Sequence, residues 1–423
     1  MKAPWKVVHL ELSEGIPALP FEPNYEGLYA VFWWHSIPLG HQEILATQLP
    51  MPATQLTNLV LQSIAPVVGD RIFEQVFKSP LVVGDKLSQD TPPDFHSLIA
   101  LDRPLARLQE RLSYSPEGLV SVVICTRDRP EQLKQCLRSL QNLSHSPHEI
   151  IVVDNAPKTD ATRQLVAQMP NIQYVLEPQA GLSVARNTGI HHSTGDIIAF
   201  TDDDVIVHPD WITRLQQSFQ DSKVMAVTGL VLPGELETEA QLIFEKGFEG
   251  FSQGYQPLTF DTQFFEEMKP EGVPVWDIGA GANMAFQRKV FELVGDFDQR
   301  LGAGASGCSE DSEFWYRLLA EGWICRYEPT AVVYHYHRSD IERLKQQMYQ
   351  YMRGHVAALL VQFERYRHWG NLYRLFIALP KHYKWRLLDG AKGNLKQLNR
   401  TLGSEILGCL SGVSFYLRNR FFN

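Results

Sequence analysis

Between residues 119 and 204 the chain alternates short apolar runs with helical periods, and the apolar runs end in residues able to do chemistry. Val120-Ser-Val-Val-Ile-Cys125 reads as a buried strand. Pro130 then sits where a first helical turn tolerates proline, and Leu133, Leu137 and Leu140 line one face of the helix that follows. Residues 150–153 form the next strand, 160–169 a helix, 172–176 a strand, 183–191 a helix and 197–200 a fourth strand. Strands alternating with helices imply a mainly parallel sheet covered on both faces. Ligands of such sheets collect beyond the carboxyl ends of the strands, which is where a site is to be sought.

The first strand ends in Cys125-Thr126-Arg127-Asp128-Arg129-Pro130. That turn can offer backbone N–H groups, a hydroxyl and a guanidinium to a phosphorylated ligand, or can simply cap a helix. The P-loop pattern GxxxxGK[ST] is absent. The second strand ends in Asp154-Asn155, where a carboxylate can accept from a base N–H or a ribose hydroxyl, or can close an Asx turn. The fourth ends in Thr201-Asp202-Asp203-Asp204. Three adjacent carboxylates repel one another, and a hard divalent ion, Mn2+ or Mg2+, is their natural compensation. Downstream, Ser309-Glu310-Asp311-Ser312-Glu313 opens an amphipathic helix with Phe314, Leu318 and Leu319 on its buried side. Acids there suit the helix dipole, and one beside a pocket can act as general base toward a hydroxyl. His335 and His337 fall on the same side of a strand, and either can ligate a metal.

The flanking segments differ from this body. Residues 1–117 show strand-like runs at 7–12 and 28–34, a helix at 55–65 and turn signals at 66–70 and 92–95, so an accessory α/β or β-rich domain is expected. The stretch 114–118 marks its boundary. Residues 338–423 carry 15 Lys/Arg and five acids, a local charge of +10, against −19 for residues 1–337 and −9 for the whole chain. Leu395, Leu398, Leu402, Ile406, Leu410, Val413 and Leu417 follow helical spacing there, with Gly403, Gly408 and Gly412 weakening the last helix. Basic and aromatic residues on amphipathic helices suit an anionic membrane surface, a cap on the catalytic body or a dimer.

Five scattered cysteines without a CxxC give no disulfide framework or zinc site. The N-terminal apolar run is too short for a signal peptide, and no run of about 18 apolar residues suggests a membrane span. A cytoplasmic protein is therefore expected, possessing no nucleic-acid motif.

Taken in order, these pieces resemble the family 2 glycosyltransferases, inverting enzymes of the GT-A nucleotide-diphospho-sugar transferase fold. The resemblance spans about residues 118–337 and rests on 120–130, Val152-Val-Asp154-Asn155, Gly181-Leu-Ser-Val-Ala-Arg186-Asn187-Thr-Gly189, Phe200-Thr-Asp202-Asp-Asp204, Gly279-Ala-Gly281-Ala-Asn283 and Glu310-Asp311, with the His335 region closing the set. It implies a catalytic domain (118–337) and does not cover the expected N-terminal accessory domain (1–117) or the helical C-terminal region (338–423). It further implies that Thr126, Arg127, Asp154, Arg186, Asp202, Asp203 and Asn283 handle the nucleotide-sugar. Asp204, Asp202 and His335 would hold Mn2+ or Mg2+, and Asp311, with Glu310 beside it, would be the base. Either Asp202 or Asp203 can support Asp204, and Trp276 can stack on a sugar. The donor implied is a nucleotide-diphosphate sugar, a UDP-sugar first among them. The acceptor is a hydroxyl on a glycan or glycolipid, in polysaccharide assembly on the inner face of the plasma membrane. A sugar nucleotidyltransferase would want a glycine- and lysine-rich loop after the first strand. A non-catalytic nucleotide- or carbohydrate-binding scaffold would not need Asp311 together with three aspartates.

Overall fold

In the computed structural model the described residues are 4–73, 118–248, 250–391 and 398–420. The turn signal at 92–95, most of the expected boundary at 114–118, and Leu395 lie outside them.

Strands β1 (Trp5–Glu11), β2 (Gly27–Trp34) and β3 (Ile37–Leu45) form a small sheet in that order, and helix α1 (Ala53–Phe73) packs on β3. The expected turn at 66–70 is instead helix: Pro66 lies inside α1. Tertiary packing of Leu56, Val60, Leu61, Ile64, Val67 and Val68, all buried, overrides the proline there.

The body is a nine-stranded mixed sheet. Its first half holds β4 (Val120–Thr126), β5 (Glu149–Asn155), β6 (Ile172–Glu177) and β7 (Ile197–Asp202), all parallel, with β4 between β7 and β5. The second half adds β8 (Val205–Val207), β9 (Val224–Pro233), β10 (Leu258–Phe260), β11 (Asn283–Gln287) and β12 (Ile324–His335), giving the order β10-β12-β9-β11-β7-β4-β5-β6 with β8 on β12. Here β11 runs antiparallel to both neighbours, so the sheet is parallel from β7 to β6 and mixed beyond it. Apolar runs with no polar alternation form these strands because helices cover both faces. One face carries α2 (Pro130–Gln141), whose Leu133, Leu137 and Leu140 are buried against Val122 and Ile124. The other carries α3 (Leu182–His192) and α4 (Glu310–Ala320). A knot of aromatic rings seats α4: Phe314 lies 5.0 Å from Phe286 and 4.6 Å from Phe297. Burying side chains of this size is worth about 1.5–3 kcal/mol each, which makes the position of α4 stiff.

One apolar core runs without a break from Trp5, Phe32 and Leu56 into Phe200, Phe286 and Phe314. The N-terminal sheet is thus built onto the nine-stranded body.

Beyond β12 come α5 (Ile341–Tyr366), α6 (Leu379–Ala391) and α7 (Leu402–Asn419). The apolar stripe expected on the last helix is not one face. Leu402 is buried, whereas Leu410 and Leu417 are 67% and 59% exposed. Nor do the glycines there simply weaken α7. A Cβ on Gly408 would meet the Tyr349 carbonyl at 2.4 Å and one on Gly412 the Arg353 carbonyl at 2.6 Å, so both let α7 lie directly on α5.

Candidate active site

Strand register brings the acidic turn and the first loop together. Cys125 of β4 pairs with Asp202 of β7, and Thr126 pairs with Asp154 of β5, so three strand ends open at one rim. There Thr126 Oγ1 donates to Asp203 Oδ2 at 2.7 Å. Arg129 forks across the turn, donating to Asp203 Oδ1 at 2.6 Å and to Asp204 Oδ2 at 2.7 Å. Asp203 is buried, and burial pushes its carboxyl up to about 7 despite Arg129. Burial would raise Asp204 as well, but His335 and Arg129 outweigh it and hold that carboxyl below the usual range.

The three aspartates therefore divide. Asp203 is turned inward and pinned, while the Asp202 side chain is 38% exposed. Asp204 Oδ1 lies 3.4 Å from His335 Nε2, and Arg338 Nη1 lies 3.8 Å from Asp204 Oδ2. This separates His335 from His337, which points away to Glu245 Oε2 at 3.0 Å. Among the described residues no three His, Cys, Asp or Glu side chains form a ready-made metal cage. Asp204 and His335, with Asp202 nearby, nevertheless offer oxygen and imidazole donors beside open space. That set fits Mn2+ or Mg2+ bound jointly with substrate phosphates and water.

Beside Asp202, Arg186 of α3 is buried. It donates to Glu310 Oε1 at 2.6 Å and to the Gly281 carbonyl at 3.3 Å, and its Nη2 lies 3.7 Å from Asp202 Oδ1. Burial raises the Glu310 carboxyl to about 7, with Arg186 opposing. Asp311 stands half-buried at the cavity wall. Its Oδ2 accepts from the Gly281 N–H at 2.9 Å and its Oδ1 from the Ser312 N–H at 2.6 Å. Ser309, just before α4, has φ +70°, a left-handed conformation costly for a residue with a Cβ. It turns the chain so that the acids open the helix.

These groups, His337 and Glu245 apart, line one cavity of about 1350 Å³, which also holds Arg127 at its exposed rim, Trp276, and Trp385 of α6. Two expected contacts are not on its wall. Asn283 is fully buried: its Oδ1 accepts from Trp211 Nε1 at 2.8 Å and its amide donates to the Leu230 and Ala331 carbonyls. It ties β11 to its neighbours, so its place is structural. Asp154 is fully buried, accepting from the Tyr174 hydroxyl at 3.0 Å, with Oδ1 unpartnered and its carboxyl raised by burial. Its neighbour Asn155 lines the cavity in its place. Trp276 lies edge-on to His355 at 5.1 Å, and the Arg374 guanidinium lies 3.9 Å from its ring centre, covering one face.

Sequence reasoning missed Arg129 and Arg338. Arg129 stood in the quoted loop, and only the register of β4 on β7 shows that it, rather than Arg127, meets the aspartates.

A parallel half-sheet with a polar loop after its first strand, an acidic turn at its edge and a carboxylate-bearing helix lining the same cavity agree with the GT-A architecture. The glycosyl transferase family 2 model matches residues 121–295. The chain is 30% identical over 228 residues to the succinoglycan biosynthesis protein ExoM of Rhizobium meliloti, covering 51% of this chain and 66% of that protein. It is 27% identical over 189 residues to the glucosyl-dolichyl phosphate glucuronosyltransferase of Haloferax volcanii, covering 43% and 57%. The chain thus spans less than two thirds of the length of both relatives. The fold is shared with the mannosyltransferase PcManGT of Pyrobaculum calidifontis, solved with GDP-Man and Mn2+. That likeness has a TM-score of 0.50 at 18% identity and covers 73% of this chain and 89% of that one. Over residues 121–295, then, this chain is similar to glycosyl transferase family 2.

Proposed function

We propose that the chain is an inverting, divalent-metal-dependent glycosyltransferase that moves a sugar from a nucleotide-diphosphate donor, a UDP-sugar, to a hydroxyl acceptor. The observation that carries this reading is the single cavity in which Asp311 faces the loop of Thr126 and Arg129 and the turn of Asp202–Asp204. Asp311 takes the proton of the acceptor hydroxyl. Its two hydrogen bonds from backbone N–H groups aim the carboxylate while leaving lone pairs free. Arg186 neutralises Glu310, so Glu310 supports the wall while Asp311 does the proton transfer. Arg338 and Arg129 add positive charge where the diphosphate leaves. Asp204, His335 and Asp202 would hold Mn2+ or Mg2+, which when bound stabilises the departing diphosphate as a Lewis acid. Single displacement from the face opposite the leaving group inverts the anomeric centre. Measuring nucleoside diphosphate release with Mn2+ or Mg2+ tests the assignment. Asp311→Asn and Asp204→Asn should each remove most turnover, and wild-type rates in both would sink it.

The acceptor is read as a glycolipid of polysaccharide assembly, met at the inner face of the plasma membrane. No described helix is long and apolar enough to cross a membrane. Among the described residues, however, ten of the sixteen exposed large hydrophobic side chains lie between Trp369 and Leu417. Exposed Lys381, Lys384, Arg400 and Arg418 accompany them in the region of charge +10. Such a surface complements anionic headgroups while apolar tips enter the interface. Trp385 is both 55% exposed and part of the cavity wall, so an acceptor held in the membrane would reach Asp311 from that side. Flotation with anionic vesicles at low and high salt is the check. Absence of binding at both would remove the membrane from this reading.

A further inference from the structure

A run of buried side chains leads from the acidic turn into the N-terminal sheet, and neither the nucleotide loop nor the base accounts for it. His335 Nε2 faces Asp204 Oδ1 at 3.4 Å, and His335 Nδ1 lies 3.1 Å from His337 Nδ1. His337 Nε2 lies 3.0 Å from Glu245 Oε2, and Glu245 Oε1 accepts from the Tyr29 hydroxyl of β2 at 3.3 Å. All four residues are buried. The ring of Phe244 lies 4.8 Å from His337 and that of Phe251 lies 5.2 Å from His335, closing an apolar sleeve round the pair.

The hydrogen-bond directions follow from what each group can do. A carboxylate only accepts, so His337 donates from Nε2 to Glu245. The close Nδ1 to Nδ1 approach needs one hydrogen between the rings, because two would clash and none would leave two lone pairs opposed. In the apolar sleeve an uncharged His337 ring is favoured, so its Nδ1 accepts and His335 donates from Nδ1. With a cation bound, the remaining nitrogen of His335, Nε2, is the one left to present a lone pair beside the Asp204 oxygen, whereas without the cation a proton there bonds Asp204. Two lone pairs converging on one space are arranged as two ligands of one cation. Glu245 itself sits on the turn Ile243–Gly247, a stretch of wide helical winding of the kind that often marks functional positions. The N-terminal sheet grips that turn and the end of β12. Lys246 pairs with Glu43 and lies 3.1 Å from the Trp5 ring centre, while His9 packs edge-on to Tyr334 at 5.5 Å.

We propose that Tyr29, Glu245 and His337 are positioning residues that fix His335 in the tautomer with a free Nε2, which makes the N-terminal sheet an integral support of the divalent-ion site. This rests on the metal dependence proposed above. Second-shell partners of ligating histidines usually change metal affinity by about 10–100-fold when replaced.

The experiment titrates Mn2+ into the full chain in the presence of UDP. Free Mn2+ is read by electron paramagnetic resonance, and histidine nitrogen coupling by pulsed methods on the bound ion. Wild type should show one coupled nitrogen, and His335→Ala should lose it. Glu245→Gln, nearly isosteric, should bind Mn2+ about tenfold more weakly, with thermal unfolding recorded alongside to confirm folding. Tyr29→Phe, which keeps the ring packed, should weaken binding in the same direction by a smaller factor and stands in if Glu245→Gln does not fold. Wild-type affinity and unchanged nitrogen coupling in both Glu245→Gln and Tyr29→Phe would overturn the relay while leaving the metal reading in place. Nitrogen coupling that persists in His335→Ala would also overturn it. A wild-type chain that binds no Mn2+ would overturn the metal reading and the relay together.

Discussion

Gly281→Ala tests whether Asp311 is held where the chemistry needs it. A Cβ built on Gly281 would stand 2.8 Å from Arg186 Nη2 and 2.9 Å from Asp311 Oδ2, against 3.4 Å for ordinary contact. Something must give by roughly half an ångström. Arg186 is anchored at 2.6 Å to Glu310 and is buried, so the freer partner, the Asp311 carboxylate, is the one displaced. That movement also breaks the 2.9 Å hydrogen bond from the Gly281 N–H. A hydrogen bond to a charged group is worth about 1.5–3 kcal/mol. At about 1.4 kcal/mol per factor of ten, turnover should fall roughly 10–100-fold. The donor KM should change less than kcat, because the groups nearest the added methyl are Arg186 and Asp311 rather than Thr126 or Arg129. Nucleoside diphosphate release under saturating Mn2+ gives both constants. Gly403→Ala, with nothing within 4 Å of the added methyl, is the matched control and should leave turnover unchanged. Wild-type kcat in Gly281→Ala would refute the reasoning that the anchored Arg186 stays in place and the Asp311 carboxylate is displaced.

Other outcomes follow from the same geometry. Arg129→Met removes the fork that compensates Asp203 and Asp204, so the metal-free protein should lose thermal stability and recover part of it on adding Mn2+, which thermal shift with and without the ion will read. Glu310 has its folded-state pKa raised to about 7 from an ordinary 4.5, so its ionisation opposes folding as pH climbs through that window. Stability should therefore fall between about pH 4.5 and pH 7, by a few kcal/mol at most, and Glu310→Gln should flatten that slope in denaturant titrations at the two pH values. Exchanging Lys381 and Lys384 for Glu should abolish vesicle flotation at low salt while leaving release of nucleoside diphosphate in solution unchanged.

Much of the fold was legible because it is written locally. Apolar runs of four to six residues between helical periods mark β4 to β7, and Pro130 marks the start of α2, since these depend on neighbours in sequence. β3 went unread, because Ile37–Leu45 carries Pro38 and Gly40 and only pairing with β2 makes it a strand. The helix through Pro66 was obscured for the same reason. Gly408 and Gly412 carried the opposite hazard: helix propensity counts them as defects, whereas close packing on α5 requires them.

The sequence by itself determined the chemistry present: a polar loop, three aspartates and an acidic helix start, each at the end of a strongly patterned element. Tertiary structure alone decided which of those groups face one another. Strand order set Arg129 against Asp203 and Asp204, turned Asp203 inward and left Asp202 open. Burial removed Asn283 and Asp154 from the cavity wall, and packing of the N-terminal sheet bound Tyr29 and Glu245 to the histidines. The physical reason is the range of the forces involved. Backbone preference and hydrophobic periodicity act over a few residues and can be read along the chain. Hydrogen-bond partners, desolvation and close approach depend on groups up to some 200 positions apart, as for Tyr29 and Glu245, and exist only once the sheet has closed.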